Sequence, residues 1–254
     1  MKFVARFIAL IMLLFITTVY AETTTRIPVL CYHNLNPTKP GSMNMTPQKF
    51  ESQIKWIKDN GFTVIPLADA VEYLQGKRDS LPPKSIVVTA DDGWESVYTY
   101  MAPIVKKYNM PVTLFIYPET ISSGKNAMTW EQLKELKQTG LFDIQSHTFS
   151  HPNFKHAQKS MSADRYAKFV KHELFDSKKT LEEKFGTQIT VLAWPFGIYN
   201  PYLEQQAAAA GYQMAFTIDY RPAKRNDRAM AQPRFMIIDA ESAKTFAGIV
   251  QLAN

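Results

Sequence analysis

The sequence has 254 residues, of which 46% are hydrophobic and 20% charged, a composition that supports a large core and excludes an intrinsically disordered chain. The formal net charge is +6, but Lys and Arg form no dense block, so we do not expect nucleic acid as a partner. The single cysteine, Cys31, excludes an internal disulfide, and its place in an apolar run predicts a small buried core residue.

The first 21 residues have the pattern of a secretory signal peptide. Lys2 and Arg6 precede an apolar run over residues 7–16, and Val19-Tyr20-Ala21 resembles a cleavage site. The apolar run is shorter than the roughly 20 residues that a membrane span needs, which favours cleavage over an anchor. We therefore predict an exported protein, periplasmic or secreted, without stable membrane insertion after cleavage. The mature part, residues 22–254, is predicted to be one domain that acts as a monomer.

Beyond this segment, apolar runs rich in β-branched residues alternate with patterns of helical periodicity. Thr46-Pro47 and Asn200-Pro201 are typical helix starts, because the first residue can cap the helix and Pro suits the first helical position. The predicted strands are 27–32, 62–67, 86–91, 112–117, 142–146, 189–194, 214–218 and 234–238. The predicted helices are 46–61, 68–74, 95–108, 129–139, one within 162–185, 200–211 and one from residue 241.

This alternation predicts an α/β fold with parallel strands joined by crossover helices. Seven or eight such units fit a β/α barrel better than an open sheet. In such barrels the active site lies at the carboxyl ends of the strands. Several polar or turn residues follow predicted strands and are therefore expected at that face: His33, Asp91, Asp92, His147, Pro195 and Asp219.

Two motifs carry the chemistry. Thr89-Ala90-Asp91-Asp92-Gly93 ends a buried strand, and His147-Thr148-Phe149-Ser150-His151 places two imidazoles four positions apart. One carboxylate and two imidazoles suit a divalent metal, zinc first, with cobalt, nickel or iron compatible by the same ligand logic. We predict Asp92, His147 and His151 as ligands and Asp91 as the general base. The alternatives are histidines in an ordinary polar loop, and an Asp91 that only orients a histidine.

These two motifs, together with Ala193-Trp194-Pro195-Phe196-Gly197, resemble the polysaccharide deacetylase family, the NodB-homology group or carbohydrate esterase family 4. The Cys31-Tyr32-His33 opening is most similar to its poly-N-acetylglucosamine N-deacetylase branch. The resemblance implies a distorted (β/α)7-8 barrel of the NodB-homology type. It also implies that Asp92 and both histidines bind the metal, that Asp91 is the base, and that the backbone amide of Phe196 binds the oxyanion.

The sequence departs from the family pattern in two places. Many members carry an Arg two residues before the motif's proline, to pair with the base, but this chain has Ala193. Arg234 is the candidate replacement, and a plain surface charge is the alternative. Many members also use a late histidine as general acid, and no histidine follows His172 here. His33 is the remaining candidate acid, and the role of Asp219, which would orient the missing histidine, stays open.

Substrate contacts are predicted for Trp194, Pro195, Tyr199 and Asp219. Aromatic side chains, including Phe149 and Phe154, could stack on sugars, although aromatic residues in a barrel more often belong to the core.

The function that these residues favour is metal-dependent removal of acetyl groups from N-acetylated sugars of a polysaccharide. Poly-N-acetylglucosamine, peptidoglycan and chitin-like oligomers are the candidate substrates and partners, with O-acetylated xylan a further member of the set. Two alternatives remain: a glycan-binding barrel without catalysis, which the missing histidine and Ala193 favour, and a hydrolase of small amides.

Overall fold

The structure, a computed structural model, describes residues 25–39, 41 and 43–253. The predicted signal peptide, residues 1–21, lies outside the described residues. The strands in the described part are β1 (Val29–Tyr32), β2 (Asn34–Leu35), β3 (Asn44–Met45), β4 (Thr63–Val64), β5 (Ser85–Asp91), β6 (Val112–Ile116), β7 (Phe142–Ser146), β8 (Val191–Ala193), β9 (Met214–Phe216) and β10 (Phe235–Met236). The α-helices are α1 (Pro47–Asp59), α2 (Leu67–Leu74), α3 (Ala102–Tyr108), α4 (Trp130–Gln138), α5 (Phe154–Ser160), α6 (Ala163–Lys171), α7 (Ser177–Phe185), α8 (Pro201–Ala209) and α9 (Ala243–Val250).

Eight of these strands form one sheet in which neighbouring strands run parallel. The strand order is β10-β1-β5-β6-β7-β8-β9, and β4 pairs with the beginning of β5. Parallel neighbours need crossover connections, which explains the alternation of strands and helices. Every residue of β5 is buried, as expected for an apolar strand covered on both faces. This central strand delivers Asp91 to the carboxyl end of the sheet.

A short run of chain before and within β10 connects the two edges of the sheet. Gln232 bridges to Phe216 at the end of β9, and Phe235 pairs with Leu30 in β1. The amide of Thr217 donates to the carbonyl of Gln232 at 2.8 Å. The sheet is therefore curved into a distorted β/α barrel, which confirms the predicted fold. Because the chain passes from one edge to the other here, β9 and β10 are shorter than the predicted 214–218 and 234–238.

Side-chain caps start the helices where the sequence predicted them. The side chains of Thr46, Thr129 and Asn200 each accept a hydrogen bond from the amide three residues later. Such caps satisfy amides that have no partner within the helix. At Thr129 the side chain of Gln132 also accepts from the capping residue's own amide, which completes a capping box.

Two predicted helices contain a wider turn. The region 95–108 contains a π-helical turn, Val97–Met101, which precedes α3. Pro103 has no amide hydrogen to donate. The amide of Ala102 donates to the carbonyl of Val97, five residues back, which is the hydrogen bond of a π-helical turn. The region 162–185 consists of α6, a second π-helical turn, His172–Asp176, and α7.

Some short elements were not predicted. The pair Asn34–Leu35 and Asn44–Met45 was not among the predicted strands, and α5, which follows the His147–His151 motif, was not among the predicted helices. These elements are too short for their periodicity to be recognised. Over the described ranges, no helix has the length and apolarity required to cross a bilayer.

Candidate active site

Asp91 and Asp92 lie side by side at the carboxyl end of β5. Asp91 is the last residue of the strand and 2% exposed. Asp92 has a φ of 77° and Gly93 a φ of 82°, so the chain turns immediately after the strand. The positive φ of Gly93 favours glycine, and a Cβ there would come within 2.8 Å of the Cδ1 of Ile121, so that side chain would have to shift. Because of this turn, two consecutive carboxylates face one site instead of opposite faces of the sheet.

The three predicted metal ligands come together at this turn. The ligand atoms of Asp92, His147 and His151 all lie within 4.8 Å of one another. The Oδ1 of Asp92 is 3.6 Å from the Nε2 of His147 and 3.5 Å from the Nε2 of His151. Two donors each about 2 Å from a tetrahedral zinc ion are about 3.3 Å apart, close to these distances. The same Oδ1 is buried and has no hydrogen-bond partner among the residues that the structure describes. The donor set therefore fits a small divalent cation.

The orientation of His147 suits a metal ligand. Its Nδ1 is 2.8 Å from the carbonyl oxygen of Ala193, so the Nδ1–H can donate and leave the Nε2 lone pair directed at the site. Burial of the ring is the main reason that the pKa of His147 falls to about 4, despite the opposing charge of Asp91. His147 is therefore neutral near pH 7, the form that binds a metal.

The loop over residues 147–151, the histidine loop, is held by a buried acid that the sequence analysis did not identify. Glu173 is fully buried in the second π-helical turn, and its carboxylate accepts the amides of Phe149 and Ser150, both at 2.9 Å, and the Ser150 hydroxyl. The loop contains two strained residues, Thr148 at φ 67° and His151 at φ 57°. Glu173 thus supports the conformation that points both histidines inward. Nothing local in the sequence distinguishes it from its exposed helical neighbours.

Arg234 forms a bidentate ion pair with Asp91. Its Nη1 and Nη2 lie 2.8 and 2.7 Å from the two carboxylate oxygens, and its Nε donates to the carbonyl of Thr217 at 3.1 Å. Arg234 is fully buried, so the surface-charge alternative is wrong. Burial raises the pKa of Asp91, but the charge of Arg234 and its two hydrogen bonds outweigh burial and hold that pKa well below its usual range.

His33 also reaches Asp91. The side-chain ligand atoms of Cys31, His33 and Asp91 lie within 4.8 Å of one another, and the Cys31 thiol donates to Asp91 at 3.4 Å. Because both oxygens of Asp91 already bind Arg234, we assign these groups to the surroundings of Asp91 and not to a second metal site. His33 is partly exposed and could exchange protons with a substrate.

The turn Pro195–Gly197 follows β8, the strand that pairs with β7, and borders the cluster. Phe196 has a φ of 57° and is 56% exposed, and the centroid of its ring lies 4.7 Å from that of His151. A Cβ on Gly197 would lie 2.7 Å from the Cγ1 of Ile218, so the turn packs tightly. The sequence predicted a role only for the backbone amide of Phe196. Its side chain additionally forms an exposed aromatic wall next to a predicted ligand.

The predicted sugar contact through the indole of Trp194 is wrong. This side chain is fully buried, donates to the carbonyl of Met230 at 2.9 Å and packs against Phe154, which is also buried. Tyr199 is half-buried and Pro195 is buried. Asp219 is exposed, and among the described residues no hydrogen bond or ion pair joins it to the aspartates or histidines of the site.

A different tryptophan contacts the site. The indole of Trp94 donates to the Oδ2 of Asp92 at 3.0 Å. It also lines a cavity of about 170 Å³ that contains Asp92 and Tyr117. The ring of Tyr117 lies 5.4 Å from that of His151. Trp94 follows the Asp-Asp-Gly motif directly in the sequence. That position was the signal from which its contact with Asp92 could have been predicted.

Comparisons with known proteins identify a family and a fold. The sequence model of the polysaccharide deacetylase family matches residues 78–215. The Bacillus subtilis protein YxkH, provisionally named a polysaccharide deacetylase, is 30% identical over 231 residues, which cover 91% of this chain and 78% of that protein. The poly-β-1,6-N-acetyl-D-glucosamine N-deacetylase of Staphylococcus epidermidis is 26% identical over 198 residues, 76% of this chain and 68% of that one.

Two solved structures share the fold. The Streptococcus pyogenes deacetylase PplD, determined in complex with acetate, has a TM-score of 0.79 at 26% identity, over 90% of this chain and 99% of that one. IcaB from Ammonifex degensii has a TM-score of 0.75 at 24% identity, and the match covers 90% of this chain and 97% of that one.

Proposed function

The chain belongs to the polysaccharide deacetylase family, and from that premise we propose that it removes acetyl groups from N-acetylated sugars of a polysaccharide with the help of a divalent metal. The observation that carries the proposal is the cluster of Asp92, His147 and His151 beside the buried Asp91–Arg234 pair. A binding module without catalysis would have no need for three convergent donors next to an ionised carboxylate.

The donors fit zinc, and cobalt, nickel or iron by the same ligand logic. When bound by Asp92, His147 and His151, the cation would supply Lewis-acid activation of a water molecule and of the acyl oxygen. The chain's own contribution is to keep these donors in the correct protonation state. His147 is held neutral by burial and by its bond to Ala193, and Trp94 holds the second oxygen of Asp92.

Asp91 is the proposed proton acceptor. Its pairing with Arg234 keeps it ionised, so it can accept the proton that water loses as it attacks the acetyl carbon. Arg234 also keeps the pKa of Asp91 low, so Asp91, once it has accepted a proton, readily donates it to the departing nitrogen. His33, close to Asp91, is the second candidate donor. The backbone amide of Phe196, in the turn beside His151, is the proposed donor to the developing oxyanion.

N-acetylglucosamine polymers are the proposed substrates. The name of the Staphylococcus epidermidis relative specifies poly-β-1,6-N-acetyl-D-glucosamine, and the Cys31-Tyr32-His33 opening resembles that branch. Peptidoglycan and chitin-like oligomers carry the same acetamido group and remain in the candidate set.

A screen for released acetate tests the proposal. The purified protein is stripped with a chelator, reloaded with zinc, cobalt or nickel, and offered β-1,6- and β-1,4-linked N-acetylglucosamine oligomers, peptidoglycan and acetylated xylan. We expect acetate from at least one N-acetylated glycan, loss of activity after chelation and recovery with metal. Asp91→Asn provides the inactive reference. Release of acetate from none of the N-acetylated glycans by metal-loaded protein would overturn the proposal.

We further propose that residues 1–21 direct export and that residues 22–254 form one monomeric domain. The basic, apolar and small-residue pattern of the leader supports export. The intact mass of protein recovered from the periplasm or medium gives the cleavage site, and light scattering gives the oligomeric state. A recovered protein that still begins at Met1 would refute cleavage.

A further inference from the structure

Three buried hydroxyl groups are joined by hydrogen bonds beside His147. Ser146 is the last residue of β7 and Ser177 the first residue of α7, and their Oγ atoms are 2.9 Å apart. The hydroxyl of Tyr212, just ahead of β9, lies 2.8 Å from the Oγ of Ser146. All three residues are at most 2% exposed. We call them the hydroxyl network; it connects three elements of the barrel at a point next to a proposed metal ligand.

The hydrogen atoms of this network can be assigned. The carbonyl oxygen of Thr148 can only accept, so the hydroxyl of Ser177, 2.8 Å away, donates to it. Ser177 then has no hydrogen left for Ser146, which must donate to Ser177 and accept from Tyr212. Tyr212 has a more distant second acceptor, the carbonyl of Leu174 at 3.0 Å. The donors therefore run in one direction, from Tyr212 to the backbone of Thr148.

The network holds the backbone on both sides of His147. Ser146 precedes this residue, and its Oγ also accepts the amide of Thr148 at 3.2 Å. Thr148 has a φ of 67°, a conformation that residues other than glycine rarely adopt and that persists only where surrounding contacts impose it. The position of the His147 Nε2 is thus set by this backbone together with the bond of the Nδ1 to Ala193.

The network and Glu173 hold different parts of the histidine loop. Glu173 lies in the second π-helical turn, and Ser177 follows that turn directly, four positions after Glu173. Ser177 binds the loop at Thr148, whereas Glu173 binds it at Phe149 and Ser150. Wider turns of this kind are frequent at functional sites. Here the turn places two side chains of one helical segment against one loop.

We propose that Tyr212 is a positioning residue for the metal site and acts through Ser146 and Ser177 on the backbone around His147. The inference rests on the metal site of the proposed function and adds a residue from a different strand connection to it. Among the described residues, the hydroxyl of Tyr212 bonds to Ser146 and Leu174 and to none of the proposed ligands. Its effect on the metal is therefore indirect, through the conformation of the loop.

The test removes single hydroxyl groups and measures the metal site directly. Tyr212→Phe and Ser177→Ala each delete one member of the network with little change in volume. Tyr166→Phe is the matched control, because the buried hydroxyl of Tyr166 has no hydrogen-bond partner in the described part of the chain. Ser85→Ala is the second control, since this buried hydroxyl donates to the carbonyl of Pro82 at the opposite end of the sheet.

Each protein is stripped with a chelator and titrated with zinc and with cobalt, and the visible absorption of the cobalt form records the ligand geometry. We expect Tyr212→Phe and Ser177→Ala each to raise the Kd for zinc by about tenfold or more and to change the cobalt absorption. Both controls should keep the wild-type values. Because the two hydroxyls belong to one network, the double variant should lose little more than either single variant.

Thermal unfolding of the stripped proteins separates positioning from plain stability. A lower Tm with wild-type zinc affinity and cobalt absorption in both network variants would overturn the positioning role. Losses that add fully in the double variant, or equal losses in the two controls, would overturn it as well. If Ser177→Ala does not fold, Tyr212→Phe decides alone, because its ring still fills the core.

The outcomes also distinguish this inference from the proposed function. A wild type that binds metal but releases acetate from no N-acetylated glycan overturns the deacetylase function, while the zinc and cobalt titrations still decide the role of Tyr212. Wild-type metal binding in both network variants overturns the role of Tyr212 and leaves the deacetylase function intact. A wild type that binds neither zinc nor cobalt overturns both.

Discussion

Arg234 and Asp91, 143 positions apart in the chain, form a bidentate ion pair that is almost completely closed to solvent. Arg234 lies in the short run that connects the two edges of the sheet, and Asp91 ends the central strand. The pair therefore joins the closure of the barrel to the proposed catalytic base. Removal of one partner from a buried pair leaves an uncompensated charge, which typically costs about 3–5 kcal/mol.

Arg234→Ala should lower kcat more than it raises KM, because it removes the group that orients the base. The pKa of Asp91 should rise, since the cation that lowers it is absent, and the acidic limb of the rate profile should move to higher pH. In the wild type, a carboxyl with a lowered pKa stabilises the fold above its unfolded-state pKa of about 3.9 and loses this contribution as the pH falls. The variant should therefore lose stability at neutral pH, as measured by urea unfolding.

Arg78→Ala is the control for this change, because Arg78 forms only partly exposed ion pairs with Asp69 and Glu72. Such pairs contribute roughly 0–1 kcal/mol. A folded Arg234→Ala protein with an unchanged pH–rate profile would contradict the role of Arg234 at the base.

Asp92→Asn should bind metal much more weakly than the wild type. Asn tolerates the left-handed backbone at this position, so the fold should persist while the anionic donor is lost. Elemental analysis after dialysis measures the metal content, and circular dichroism checks the fold. Asp59→Asn, in an exposed surface pair, should keep its metal. Full occupancy in Asp92→Asn would exclude Asp92 as a required ligand.

Glu173→Ala should weaken metal binding without touching a ligand. The partly buried amides of Phe149 and Ser150 would lose their acceptor, and an unsatisfied group costs up to about 1–3 kcal/mol when it is fully buried. The histidine loop would then relax from its strained conformation. Glu173→Gln keeps one oxygen acceptor and should be affected less. Metal titration of the stripped protein and thermal unfolding are the measurements, with exposed Glu183→Gln as control. Wild-type metal affinity in Glu173→Ala would show that the histidine loop keeps its conformation without Glu173.

His33→Ala separates two sources of the proton for the leaving nitrogen. Because the low pKa of Asp91 makes its protonated form a good donor, we expect similar losses, below about tenfold, on an N-acetyl sugar and on an activated acetate ester. The ester has a good leaving group and needs little acid assistance. A loss of about 10²-fold or more confined to the amide would instead assign the acid to His33. Exposed His156→Ala is the control.

Much of the architecture follows from the sequence alone. The β-branched run that ends at Asp91 and the alternation of strands and helices predict a parallel sheet with its site at the carboxyl ends. Residues that follow such strands, including Asp92 and His147, must meet at one edge, because parallel strands all end there. Hydrophobic periodicity and helix-capping residues are sufficient to predict these elements and the edge at which the site lies.

Contacts between distant elements were decided only by the tertiary structure. The partner of Arg234 depends on how the chain closes the barrel, and the role of Glu173 depends on a π-helical turn that no local pattern reveals. Trp94 and Trp194 both lie close to the carboxyl end of a strand, yet one contacts Asp92 and the other is buried against Phe154. Sequence periodicity specifies which face of an element is buried. Which buried side chains share a cavity depends on strand order, on the closure of the barrel and on left-handed turns. These features fix how one element lies relative to another, which periodicity within a single element does not specify.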